Sequence, residues 1–293
     1  MTSPAFTTRI KLQLNGLLRP VGLQVGTTVA SQREQARLEQ LQESGHWGKA
    51  QYDQGLKFEP QRYLTFLREM CLPYKAEYSK FPVNSNGNER EFFLENGYFR
   101  SVDAEMLYSV VRHNKPRRII EVGSGFSTRL MALAIKDGKL DTSITSIDPF
   151  PRVGVDGFVN QHIQSVVERV DRSVIFDSLE EGDLLFIDSS HQIVTGGDVP
   201  YLFLEILPRL KKGVSVHIHD IFLPFEYPEE AVLAGWEWAE QYLVHAFLAF
   251  NETFQILWPA RYMWGYYQHE VLDVIPADRC VFPPSSLWIE KTT

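Results

Sequence analysis

Acidic side chains recur at one kind of position in this sequence, directly after a short apolar run. Glu121 sits within Ile119-Ile120-Glu121-Val122, Asp148 closes Ile144-Thr145-Ser146-Ile147, Asp188 closes Leu184-Leu185-Phe186-Ile187, and His219-Asp220 closes Val214-Ser215-Val216-His217-Ile218. A carboxylate there can hold ligand hydroxyls or help bind a cation, and a carboxylate beside an imidazole can move a proton. His191 stands three residues past Asp188, and an unperturbed imidazole, titrating near pH 6.5, suits a general base. Its bland alternative is a loop histidine bonded to backbone. Between the first two acids lies Gly123-Ser124-Gly125-Phe126-Ser127-Thr128, where glycines let backbone approach a ligand and a helix start offers free N–H groups.

These residues need elements to position them. Arg117 to Leu130 reads as a buried strand, a tight turn and a helix N-terminus. Ser143–Pro149, Gly182–Asp188 and Val214–Asp220 read as further strands, and Val199–Leu210 as an apolar helix. A long helix is predicted from Pro228 to about Phe250, then late strands over Phe254–Trp258 and Ser286–Glu290. Strands alternating with helices imply an α/β, doubly wound, mostly parallel sheet with its site at the carboxyl ends of the strands. Upstream, Ala30–Glu43 reads as a solvated helix and Pro60–Cys71 as a second one, followed by loop chemistry at Phe81–Asn88. Residues 1–90 are therefore expected to be a small helical N-terminal region, and residues 91–293 the ligand-binding domain. Ser101 is expected to cap a helix bearing Asp103 and Glu105 in its first turn.

The chain has 293 residues, 44% of them apolar, and a formal charge of -8. That charge argues against a nucleic-acid partner. No apolar run approaches the roughly 18 residues of a membrane span, and the N-terminus lacks an apolar leader core, so a cytoplasmic protein is expected. Cys71 and Cys280 fit neither a disulfide framework nor a metal knuckle. A homo-oligomer stays open.

The glycine turn is Gly-x-Gly-x-x-Thr, not the full dinucleotide fingerprint, and Asp148 suits the ribose of either a nicotinamide or another nucleoside. Glu121 leans the reading: a strand-tip acid repels a pyrophosphate but suits an ammonium and sulfonium, as in S-adenosylmethionine.

From about Phe99 to Glu290 the chain resembles class I S-adenosylmethionine-dependent methyltransferases, and within them is similar to the bacterial methyltransferase family 24. The motifs are Ile120 to Thr128, Ile147-Asp148-Pro149, Leu185 to His191 and Val216 to Phe222. The resemblance implies a seven-stranded, Rossmann-like sheet closed by a reversed hairpin. It also implies a cofactor site of Glu121, Gly123, Ser124, Gly125, Ser127, Thr128, Asp148, Pro149 and Asp188, with adenine near Glu168 to Val170. Asp188, His219 and Asp220 fall where metal-dependent O-methyltransferases hold a divalent ion, and His191 where catechol-type enzymes carry a basic lysine. The family usually has acids or amides on the later strand, so His219 departs from it; oxygen ligands suit magnesium or calcium, and imidazole favours zinc, iron, manganese or nickel. The implied reaction is methyl transfer to a sugar or phenol-like hydroxyl, with His191, Asp188 and His219 as catalytic groups and a metal as an option. An NAD-linked oxidoreductase and a catalytically silent binding module are the alternatives. His217 reads as a core histidine, and Trp236 and Trp238, two residues apart, cannot share one face of the expected helix.

Overall fold

The computed structural model describes residues 13–15, 17, 18, 20, 28–88, 90–276 and 282–293. The chain divides into two compact units, residues 1–49 and 50–293. The first unit carries the helix Thr28–Glu43, whose side chains from Gln32 onward are largely exposed and include an Arg37–Glu34 pair. The expected boundary near residue 90 falls inside the second unit, because the helix Pro60–Cys71 buries Tyr63, Leu64 and Leu67 and packs on the helix Asp103–Asn114 and on the sheet. Cys71 is buried with a free thiol; Cys280 lies outside the described residues.

Seven strands form one sheet: β1 Arg118–Val122, β2 Ser143–Ile147, β3 Gln161–Ile163, β4 Leu184–Ile187, β5 Ser215–Ile218, β6 Phe254–Pro259 and β7 Leu287–Lys291. Their order is β3-β2-β1-β4-β5-β7-β6. The first five run parallel, and β7 lies antiparallel between β5 and β6. Every residue of β4 and β5 is buried; β4 accordingly reads as a continuous apolar run, whereas β5 carries Ser215 and His217 in its buried interior.

Register decides what the strands deliver. Val122 pairs with both Ile147 and Ile187, and Ile187 with Ile218, so the strands end level. The ladder then runs one step further through the amides of Gly123, Asp148, Asp188 and His219. Motifs scattered over about a hundred residues of sequence thus come to one edge.

Three sequence expectations change. The long helix from Pro228 to Phe250 is two helices, Glu229–Leu233 and Glu240–Ala249, interrupted at Gly235 (φ 79°). Ser101 does not cap the helix that begins at Asp103; its hydroxyl donates to the buried Glu105 carboxylate at 2.8 Å. The apolar helix after Asp198 runs to Arg209 through a π-helical turn at Leu202–Ile206. Among the described residues no helix is long and apolar enough to cross a membrane.

Candidate active site

The turn after β1 is built around Gly123, which adopts φ 80°. A Cβ there would lie 1.8 Å from the carbonyl oxygen of Asp188, so no other residue fits without moving β4. At Gly125 a Cβ would meet nothing within 4 Å, which leaves that backbone open to a ligand. Ser124 donates from both its amide (2.8 Å) and its hydroxyl (2.9 Å) to one oxygen of Asp148, and the amide of Phe150 donates to the other at 2.7 Å. Asp148 is thereby fixed as a rim over β2.

Glu121 does something other than face a ligand. It is fully buried under the turn, accepting from Ser127 Oγ at 2.8 Å and Thr128 Oγ1 at 2.7 Å, while Thr128 Oγ1 also accepts from the amide of Gly125. Burial pushes its carboxyl up to about 8, the two hydroxyls pull it back, and Asp188 and Asp148 add to the rise. The expected strand-tip anion is therefore buried as an internal brace whose carboxyl holds its proton more tightly than an exposed acid, and it lines neither of the two cavities along the carboxyl edge nor the recess beside Tyr98. Thr128 is buried with it, whereas Ser127 and Gly125 border a small recess beside Tyr98.

Two cavities lie along the carboxyl edge. One, about 500 Å³, is bordered by Gly123, Ser124, Asp148, Pro149, the exposed Phe150, and Val166 to Glu168. Of the stretch Glu168 to Val170, only Glu168 reaches it. The other, about 740 Å³, opens over β4 and β5 and is walled by Tyr98, Arg100, His219, Asp220, Trp236, Trp238 and Phe282. Arg152, Asp188, Ser189 and Ser190 border both. The interruption at Gly235 explains the tryptophans: freed from a helix, Trp236 and Trp238 sit with ring centres 4.5 Å apart on the same cavity.

At the seam, the Nε2 of His191 lies 3.4 Å from Asp188 Oδ1 and 3.6 Å from Asp220 Oδ2. One donor atom from each of these three residues lies within 4.8 Å of the others, the spacing of a cation site. His219 is not in this group. It stands 3.9 Å from Asp220 and packs tilted against Phe99 at 4.9 Å, so of the expected Asp188, His219 and Asp220 only the two acids fall in this group, with His191 as its third member.

The position of His191 has its own supports. Its Nδ1 meets the buried Glu240 at 2.8 Å, its carbonyl accepts the amides of Ala239 and Glu240, and Trp238 packs on its ring at 4.7 Å. Its neighbour Ser190 donates twice to Asp198. His191 (φ 59°) and Asp220 (φ 54°) both hold left-handed backbone, a strain that persists only where surroundings impose it. Burial lowers the His191 pKa, but the bonds to Asp188 and Glu240 and the charge of Asp220 outweigh it, holding it well above the usual imidazole value. Burial also raises Asp188, yet the His191 bond and the neighbouring imidazoles bring it down to about 2. His217 is a core residue, stacked on Phe186 at 4.1 Å, and burial keeps it neutral.

Residues 120–221 match the family model described as a methyltransferase domain, that of methyltransferase family 24. That stretch is similar to a methyltransferase domain. An uncharacterised protein of Archaeoglobus fulgidus is 33% identical over 99 residues, which is 31% of this chain and 43% of that protein. The chain thus aligns with less than half the length of that curated relative. Among solved structures, the S-adenosylhomocysteine-bound methyltransferase PaMTH1 of Podospora anserina is 16% identical, with 93% of this chain and 99% of that one covered and a TM-score of 0.42. A SAM-dependent methyltransferase of Archaeoglobus fulgidus is 14% identical, covering 68% and 97% at a TM-score of 0.33.

Arg100, Arg152 and Glu240 carried no site signal in the sequence, and Trp236 and Trp238 offered only the expectation that one of them could line an acceptor pocket. They lie in connecting segments or at a helix end, where neither period nor motif marks them. A signal for the tryptophans was Gly235, a breaker inside the expected helix.

Proposed function

We propose that the protein transfers a methyl group from S-adenosylmethionine to a hydroxyl of a small molecule, with a divalent cation held by Asp188, His191 and Asp220. The observation that carries this reading is the seam: one carboxylate, Asp188, borders both a nucleoside-sized cavity and a larger one, so donor and acceptor would meet across it. Asp148 stands where it can accept ribose hydroxyls while Ser124 and Phe150 keep it oriented. The open backbone at Gly125 and the apolar Phe150 would receive the methionine and adenine ends.

S-adenosylmethionine supplies an electrophilic methyl when bound. The donor set fits a cation: two carboxylates, Asp188 and Asp220, face the Nε2 of one imidazole whose Nδ1 is held by Glu240. Such an ion would supply acidity to a hydroxyl placed on it. The chain's own contribution is orientation. Glu240 fixes the His191 tautomer with Nε2 toward the cavity, Ser285 Oγ holds Asp220 at 2.9 Å, and Trp238 shields the imidazole from water. Holding both reactants in line is worth more than any single group.

Calorimetry tests this. S-adenosylhomocysteine is expected to bind below millimolar concentration, and Asp148→Asn to weaken it roughly tenfold by removing a charge-assisted acceptor. Heat from a nicotinamide dinucleotide, with none from S-adenosylhomocysteine, would overturn the reading.

A further inference from the structure

The larger cavity holds cationic groups with nothing to answer them. Arg100 borders that cavity and not the nucleoside one. Its guanidinium lies over the Phe282 ring at 4.1 Å, its Nε is buried without a hydrogen-bond partner, and it forms no ion pair among the described residues. A guanidinium stays charged at any physiological pH, and a buried N–H left without a partner is costly. Stacking on a ring face also leaves the in-plane donors free, the geometry that grips a carboxylate with two bonds.

The nearby acids do not serve it. Asp103, on the same cavity, is spent on the amides of Ser285 and Ser286 and on the Ser286 hydroxyl. Glu230 borders the cavity but is exposed and pairs with no cation among the described residues. Arg152, at the seam, lies over Tyr98 at 5.1 Å and has no carboxylate partner among the described residues.

We infer that the methyl acceptor is an anionic aromatic compound, a hydroxylated ring bearing a carboxylate or similar acid, with Arg100 as its specificity-determining partner. This rests on the methyl-transfer reading and names its substrate class. The rest of the cavity agrees with it. Tyr98, Phe282 and the adjoining Trp236 and Trp238 offer faces for a planar ring, and Trp238 lies against His191, where the reacting hydroxyl belongs. A neutral sugar would leave Arg100 unanswered. A cationic acceptor would be repelled by it.

The test uses the full chain saturated with S-adenosylhomocysteine, titrated calorimetrically with protocatechuate, para-hydroxybenzoate and para-hydroxyphenylacetate, each beside its methyl ester. At least one acid is expected to bind roughly tenfold or more tightly than its ester. Arg100→Gln is expected to abolish that preference while S-adenosylhomocysteine affinity holds, and Arg100→Lys to retain part of it. Equal affinity of acids and esters for the unaltered protein, a preference that survives Arg100→Gln, or no acid binding at all would each overturn the inference. The acid-to-ester comparison needs no variant, so a misfolded substitution does not protect it. Failure of S-adenosylhomocysteine itself to bind would instead remove the parent reading and this one with it.

Discussion

At the scale of single residues, Glu121 shows how burial rewrites chemistry read from position. Its place before Gly123 suggested an anion facing a cationic ligand; the fold instead seals it beneath the turn against Ser127 and Thr128. An acid whose folded pKa, about 8, lies above its unfolded value near 4.5 binds its proton more tightly when folded. The stability it contributes is full below the unfolded value and is lost as pH rises through the folded one. Glu121→Gln keeps the shape without the titration. The stability of the unaltered protein relative to this variant, measured by urea unfolding, is expected to fall between about pH 5 and about pH 9. A difference that stays constant across that range would show that Glu121 does not titrate in the folded protein.

At the scale of elements, the helix Glu240–Ala249 matters through its first residue. Parallel strands deliver Asp148, Asp188 and His219 to one level by register alone, and that much was legible, because strands buried on both faces must be apolar until they emerge. His191 is different: it lies in a loop, and its orientation comes from Glu240, forty-nine positions later. Glu240→Gln removes the carboxylate that holds Nδ1. It is expected to weaken manganese binding at the Asp188, His191 and Asp220 group roughly ten- to a hundredfold. Manganese titration of the two proteins measures this, and equal affinities would separate His191 from any cation site.

At the scale of the molecule, the two cavities span the ends of several strands and the loops between them, so a ligand there ties together elements distant in sequence. S-adenosylhomocysteine at about a hundredfold excess over its dissociation constant should add about 2.7 kcal/mol to stability. The expected result is a rise of several degrees in Tm, seen together by far-ultraviolet circular dichroism and by tryptophan emission. A shift in tryptophan emission alone would mean that only the Trp236 and Trp238 segment responds.

What the sequence determined by itself is the alternation of strands and helices, the glycine turn, and the acids that crown β2, β4 and β5. These follow from local rules: apolar runs end where strands leave the core, and Gly123 is required where the chain turns tightly beside a neighbouring strand. Tertiary structure alone decided which histidine joins Asp188 and Asp220, that Glu121 is a brace, and that Arg100 and two tryptophans wall the larger cavity. Those outcomes depend on contacts between segments far apart in the chain, whose separation carries no period and whose side-chain directions are set only once the sheet has closed.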